Sequence, residues 1–120
     1  MELGETLRVT SRQEWRSWLA AHHRGKREIW LIFYKKVSGR LSITYDDAVE
    51  EAICYGWIDG QTKSTGESEY AIRFTPRRKK SHWPESNKAR ALKMLRQGKI
   101  APAGKASLPS EVLEMRAKQD

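Results

Sequence analysis

"LSITYDDAVEEAICYGWIDGQTKS", residues 41–64, changes its hydrophobic period in the middle, and that change decides the fold class. Up to Cys54, the residues Tyr45, Ala48, Val49, Ala52 and Ile53 recur at helical spacing, with Asp46, Asp47, Glu50 and Glu51 off the stripe. Thr44 suits an N-cap, the early acids suit the positive end of the helix dipole, and Gly56 falls where a left-handed C-terminal stop belongs. Beyond it, "GWIDGQTKS" (56–64) and "EYAIRFTPR" (69–77) flank "TGE", which reads as a hairpin with Gly66 in its turn. Tyr70, Ile72 and Phe74 alternate with Ala71, Arg73 and Thr75, so Arg73 is expected on the face opposite the apolar side chains.

Upstream, "SRQEWRSWLAAHH" (11–23) sets Ser11 and Glu14 at capping-box spacing and continues with Trp15, Trp18, Leu19 and His22 on one helical stripe. Between the two helices, Ile29–Tyr34 has no polar residue, is strand length and is rich in β-branched and aromatic types; it reads as a central strand covered on both faces. Downstream, Pro84 and Glu85 open a helix over 84–100, with Lys88, Arg90, Lys93, Arg96 and Lys99 on one side and Ala91, Leu92, Met94 and Leu95 on the other. After a Pro/Gly break at 101–104, Val112, Leu113 and Met115 suggest a last short helix. The expected fold is α+β, one domain, with a small antiparallel sheet of about three strands and three to five helices. Its expected limits are 1–105, with a helical tail at 106–120.

The chain's 120 residues suit a single modest core, and no apolar run reaches the ~18 residues of a membrane helix. The N-terminus has no signal-like pattern, so a cytoplasmic location is expected. Cys54, the only cysteine, excludes an internal disulfide and reads as a buried, inert thiol. The net charge of +8 is uneven: residues 1–70 hold ten Lys/Arg against eleven Asp/Glu (−1), residues 71–120 thirteen against four (+9). A basic half of this kind suits nucleic acid, an acidic membrane surface or an acidic protein, or serves solubility alone.

The basicity peaks in "RFTPRRKKSHW" (73–83), which holds Arg73, Arg77, Arg78, Lys79 and Lys80 and leads from strand to helix. A helix N-terminus beside Arg77 or Arg78 would hold a phosphate or carboxylate. Consecutive extended residues point to opposite sides, so Arg77 and Arg78 are expected to divide, one facing the domain and the other solvent or ligand. Asp59 is the expected partner of the buried one. The ligand-binding set is then Trp57, Asp59, Lys63, Arg73, Arg77, Arg78, Ser81 and Trp83, with Trp57 and Trp83 as stacking surfaces or loop anchors.

Catalytic signatures are few. "GKIAPAGKAS" imitates a P-loop, but five residues separate Gly98 from Gly104 and Ala106 follows Lys105. Asp59 and His82 are the acid/base candidates, although an Asp between glycines more often serves a turn or strand end and a His at a helix start is more often a surface residue or cap neighbour. His22 and His23 adjoin on a helix and diverge, so no metal is expected there, and no cofactor is implied.

Residues 28–36 ("EIWLIFYKK"), 45–64, 70–100 and the following "APAG" resemble the YdeI/OmpD-associated family, also labelled bacteriocin-protection proteins. The resemblance covers about residues 11–105 and rests on the pairing of "CYGWIDG" with "RFTPRR" and "SHW". It implies a small bacterial protein linked to stress or antimicrobial-peptide tolerance, without an established reaction. Many members carry a further basic helical segment beyond the point matching Asp120. Three functions are open on these readings: binding of an anionic small molecule or nucleic acid, an enzyme on a phosphorylated or carboxylated substrate with Asp59 as general base, and an interaction protein whose basic face meets an acidic partner.

Overall fold

The apolar run at 29–34 forms the strand around which the sheet is built. A computed structural model describes residues 3–78 and 81–119; Met1, Glu2, Lys79, Lys80 and Asp120 lie outside the described residues. Strands β1 (Thr6–Arg8), β2 (Ile29–Tyr34), β3 (Trp57–Ser64) and β4 (Glu69–Pro76) make one sheet in the order β1-β2-β4-β3. β2 is inside the sheet and buried from Ile29 to Phe33, as its composition requires. It pairs antiparallel with β4, Ile29 opposite Phe74 and Tyr34 opposite Glu69. β3 and β4 form the expected hairpin, with Asp59 opposite Phe74 and a register shift between Asp59 and Thr62.

The sheet is larger than expected and mixed, with four strands, because β1 adds in parallel to β2 through Thr6, Leu7 and Arg8. Three residues are too short for alternation to reveal a strand.

Among the described residues five helices accompany the sheet: α1 (Arg12–His22), α2 (Tyr45–Cys54), α3 (Glu85–Arg96), α4 (Pro102–Ser107) and α5 (Ser110–Gln119). Ser11 caps α1 by accepting from the Glu14 amide at 3.2 Å, and Thr44 caps α2 by accepting from Asp47 at 3.1 Å. Gly56, with a φ of 73°, ends α2 as expected. The Pro/Gly break is itself the short helix α4, begun by Pro102 at its first position.

One core joins the sheet (Leu31, Phe33, Ile72, Phe74) to Trp15 and Leu19 of α1 and to Ala48 and Ala52 of α2. A second joins Val49 and Ile53, on another side of α2, to Ala91 and Leu92 of α3, Val112 of α5 and Trp83. α2 is therefore the middle of the molecule, buried without interruption from Ala48 to Cys54. Glu50 and Glu51, read from sequence as an outer face, are buried with it, and cations from both sides reach them. Arg12 donates to Asp47 (2.9 Å), Glu50 (3.0 Å) and Glu51 (2.6 Å). Arg16 donates to Glu51 (2.8 Å) and Lys93 to Glu50 (2.9 Å). Among the described residues no helix is long and apolar enough to cross a membrane.

Candidate functional site

β4 ends at Pro76, and the backbone then leaves the sheet with Arg77 making one more ladder-like bond, its amide donating to Gly56 O at 2.8 Å. This fixes where the Arg77 side chain starts. The chain turns, and the guanidinium comes to lie over the Trp83 indole, Cζ 3.8 Å from the ring centroid. Nη1 donates to Ser81 Oγ at 3.0 Å and to the His82 carbonyl at 3.2 Å. Nε and Nη2 are buried and meet no acceptor among the described residues. Those two nitrogens form one edge of the planar fork, the kind of edge that binds a carboxylate or phosphate through two parallel hydrogen bonds, but here both are closed to solvent and meet an anion only when the side chain shifts. Burial lowers the Arg77 pKa below the usual guanidinium value, while the charge of Asp59 acts in the opposite direction from a distance.

Arg77 lines a cleft of about 630 Å³ between the end of the β3–β4 hairpin, the end of α1 and helix α4. Arg78, exposed, lines it too, as do His23 and Arg24 from the end of α1, and no carboxylate is among its described lining residues. Trp57, Trp83, Leu108 and Pro109 supply apolar wall. A volume of this size accommodates a ligand of metabolite dimensions.

Helix α4 closes one side by main-chain proximity. The Ala101 amide donates to Cys54 O at 2.9 Å, and a Cβ on Gly104 would stand 2.3 Å from that same oxygen. Gly56, in its left-handed conformation, faces Ala103 O, which a Cβ there would approach to 2.9 Å. The "APAG" that imitates a phosphate loop is thus a close-packing device for the C-terminus of α2.

The residues expected in one site are divided by the structure. Arg77, Arg78, Ser81, Trp57 and Trp83 come together at the cleft. Trp57 is a core residue at the cleft edge, 1 % exposed, its indole nitrogen donating to His23 O at 3.4 Å. Trp83 is 8 % exposed and packs in the second core, with Arg77 on one of its faces. It is both anchor and stacking surface, and Arg77 is what stacks on it.

Arg73 and Lys63 do not join them. Arg73 alternates to the other face of the sheet, as its strand position implies, and pairs there with Glu28. Lys63 lies over the Trp30 ring on that same face, its Nζ 5.7 Å from the centroid. Strand alternation forbids either from sharing the face of Ile72 and Phe74.

Asp59 does not pair with Arg77. Its Oδ2 accepts from Tyr45 OH at 2.7 Å, in a separate depression of about 460 Å³ shared with His82, Ser81 and Arg90. Burial, and then the bond to Asp59, push the Tyr45 pKa up to about 12. His82 is exposed, and its carbonyl is what Arg77 uses. The α3 N-cap is Pro84, whose side chain makes no capping bond. Arg77 is directed to Ser81 and Trp83, so the expected anion site shared by a helix N-terminus and an arginine is not formed.

His23, Arg24 and Tyr55 are cleft residues that the sequence reading did not select. Their signal is "HHRGKR" (22–27), a second basic cluster after a helix, which periodicity alone does not connect to residue 77. His23 Nδ1 lies 2.7 Å from Leu19 O, and its ring lies 5.0 Å from Tyr55.

Compared with known proteins, residues 7–107 match the family model described as "Domain of unknown function (DUF8412)". No curated protein and no solved structure matches the chain. Nothing in these comparisons links the chain to the YdeI/OmpD-associated family.

Proposed function

Because the chain belongs to the DUF8412 family, whose description names no reaction, the functional reading rests on the cleft, and we propose that the protein is a small binding module for an anionic ligand. The ligand carries a phosphate or carboxylate, held by the strand-to-helix loop at Arg77 with Arg78 and Arg24 nearby, and an apolar body that meets the Trp83, Leu108 and Pro109 wall. The observation that carries this reading is Arg77: a desolvated guanidinium with two unmatched donors, in a cleft whose described lining holds no acid. A buried charge without a counter-charge is costly, and a bound anion removes that cost. A cleft of metabolite size favours a small molecule, or the phosphate-bearing end of a nucleotide, over a long polyanion. A cytoplasmic location and a role in stress tolerance, as the YdeI/OmpD-like residues imply, belong to the same proposal.

The test is a thermal-shift screen with inorganic phosphate, adenosine monophosphate, a sugar phosphate and phenylacetate, on the parent chain and on Arg77→Met. A ligand at a hundred times its Kd stabilises the folded chain by ~2.7 kcal/mol. The parent should show such a shift with at least one probe and Arg77→Met none. An equal shift in both places the ligand elsewhere.

The enzyme reading is supported by the meeting of Asp59 and His82 in one depression, yet Asp59 already accepts from Tyr45 and neither residue shares a cleft with Arg77. The acidic-partner reading draws less support from α3. Lys88 donates to Glu85 and Glu111, Arg90 pairs with Asp46 and Lys93 with Glu50, so three of its cations are already matched within the chain.

A further inference from the structure

At the opposite end of the sheet, the chain leaving β2 makes a short protrusion, residues 35–41, "KKVSGRL". Val37 is 83 % exposed and Leu41 76 %, more than the other exposed large apolar side chains, Leu113 (45 %), Tyr45 (41 %) and Met115 (40 %). Lys35, Lys36 and Arg40 alternate with them and are exposed as well.

The protrusion is an ordered knuckle. Its base is closed by the Tyr34 amide donating to Ser42 Oγ at 3.0 Å and tied to the β3–β4 turn by Lys35 N donating to Ser68 O at 2.8 Å. Inside, a single 3₁₀ turn at Lys36–Ser38 ends at Gly39, whose φ of 69° lets its amide reach Lys36 O at 3.1 Å. Arg40 N donates to Ser38 Oγ at 3.0 Å. Two apolar tips are thus held outward by a hydrogen-bonded turn, and the cost of ordering them on binding is already met within the fold.

The charge around them selects the counter-surface. Lys35, Lys36 and Arg40, the last over the Tyr34 ring at 5.4 Å, lie at this end against Glu67 of the neighbouring turn, while Arg8 and Glu69 neutralise each other at 2.7 Å. We propose that this knuckle docks the protein on an anionic lipid bilayer, Val37 and Leu41 entering the headgroup boundary and the cations meeting lipid phosphates. A convex pair of apolar tips within a basic collar needs a surface that yields to it and is negative all round, which a bilayer supplies without a preformed pocket. The strands set the orientation. β2 spans six residues, so the anion cleft at its other end stands ~20 Å away and stays open to solvent.

The experiment is sedimentation with vesicles of phosphatidylglycerol and phosphatidylcholine in about equal parts, and with phosphatidylcholine alone, at low and high salt. The parent chain should bind the mixed vesicles, release at high salt and ignore the neutral ones. Val37→Ser together with Leu41→Ser keeps every cation, and should weaken binding about tenfold or more if the tips insert. Circular dichroism establishes that this variant is folded, and an unchanged response in the ligand screen would show that the cleft is intact. Equal binding by the serine variant would overturn the proposal, leaving only the attraction of a basic protein for an anionic surface. No binding to either vesicle would overturn it too, and would turn the knuckle over to a protein partner.

Discussion

Arg77 touches Trp83, Ser81 and the His82 carbonyl, and no carboxylate among the described residues; its effect on stability therefore differs from that of an ion-paired arginine. An Arg77–Asp59 pair would make loss of the arginine cost ~3 to 5 kcal/mol. Here two opposing effects nearly cancel. Arg77→Met forfeits a stacking contact of ~0.5 to 2 kcal/mol and two hydrogen bonds of ~1 kcal/mol each, and relieves two buried unmatched nitrogens at ~1 to 3 kcal/mol each. Denaturant unfolding should find Arg77→Met within ~1 kcal/mol of the parent, and exposed Arg78→Ala within ~0.5. A loss of ~3 kcal/mol or more at position 77 would mean that the guanidinium is ion-paired after all. Strand alternation and the turn after Pro76 made one inward and one exposed arginine legible, and Arg77 is the inward one, but both line the same cleft. The partner was not. Asp59 does sit on the neighbouring strand, but Tyr45 reaches it from α2, and a contact between a helix and a strand leaves no periodic mark in the sequence.

Among the elements, α2 best separates what pattern reveals from what packing decides. Its caps and its stripe follow from sequence, yet Glu50 and Glu51 are buried because α1 lies on one side and α3 on the other, each bringing cations. A helical stripe records one packed face; a helix in the middle of a molecule has more than one. Removing Arg12 takes a partner from Asp47, Glu50 and Glu51 together. Arg12→Met should cost ~2 to 4 kcal/mol, somewhat below the fully buried range because its side chain is 31 % exposed. Arg96→Met, on the exposed side of α3, should cost under ~0.5, and thermal unfolding of both variants checks the contrast. β1 shows the other limit. Three residues form a strand only because the edge of β2 is there to receive them.

For the whole molecule, stability should fall on the alkaline side, and Cys54 should lead the fall. Burial raises the Cys54 thiol to about 11, and Tyr45 lies near 12. An acid whose pKa is raised by folding holds its proton more tightly in the folded chain. Its contribution is complete below the unfolded pKa and is lost as pH rises through the folded one. For Cys54 that window runs from about 9 to 11, and the fully buried thiol accounts for up to ~3 kcal/mol. Cys54→Ala should start slightly less stable at neutral pH and show a flatter decline over the same window. Parallel curves would mean that the thiol ionises as freely in the folded chain as in the unfolded one. The two halves of the charge distribution are also reinterpreted at this scale. The excess of cations after residue 70 was plain in composition, but Arg90 and Lys93 are spent internally against α2 and Lys88 against α5, while Arg77 and Arg78 line the cleft.

The contact of α4 with the end of α2 has a consequence for how this domain diversifies. Gly104 against Cys54 O, Gly56 against Ala103 O and the Ala101 amide on Cys54 O are all main-chain approaches, so they set the position of the cleft wall whatever side chains face the cleft. Ala103 and Ala106, which line the cleft outside the two cores, can then change in size and polarity while the wall stays where it is. A wall held by main-chain packing and two glycines lets the side chains that face the cleft vary without any change of scaffold.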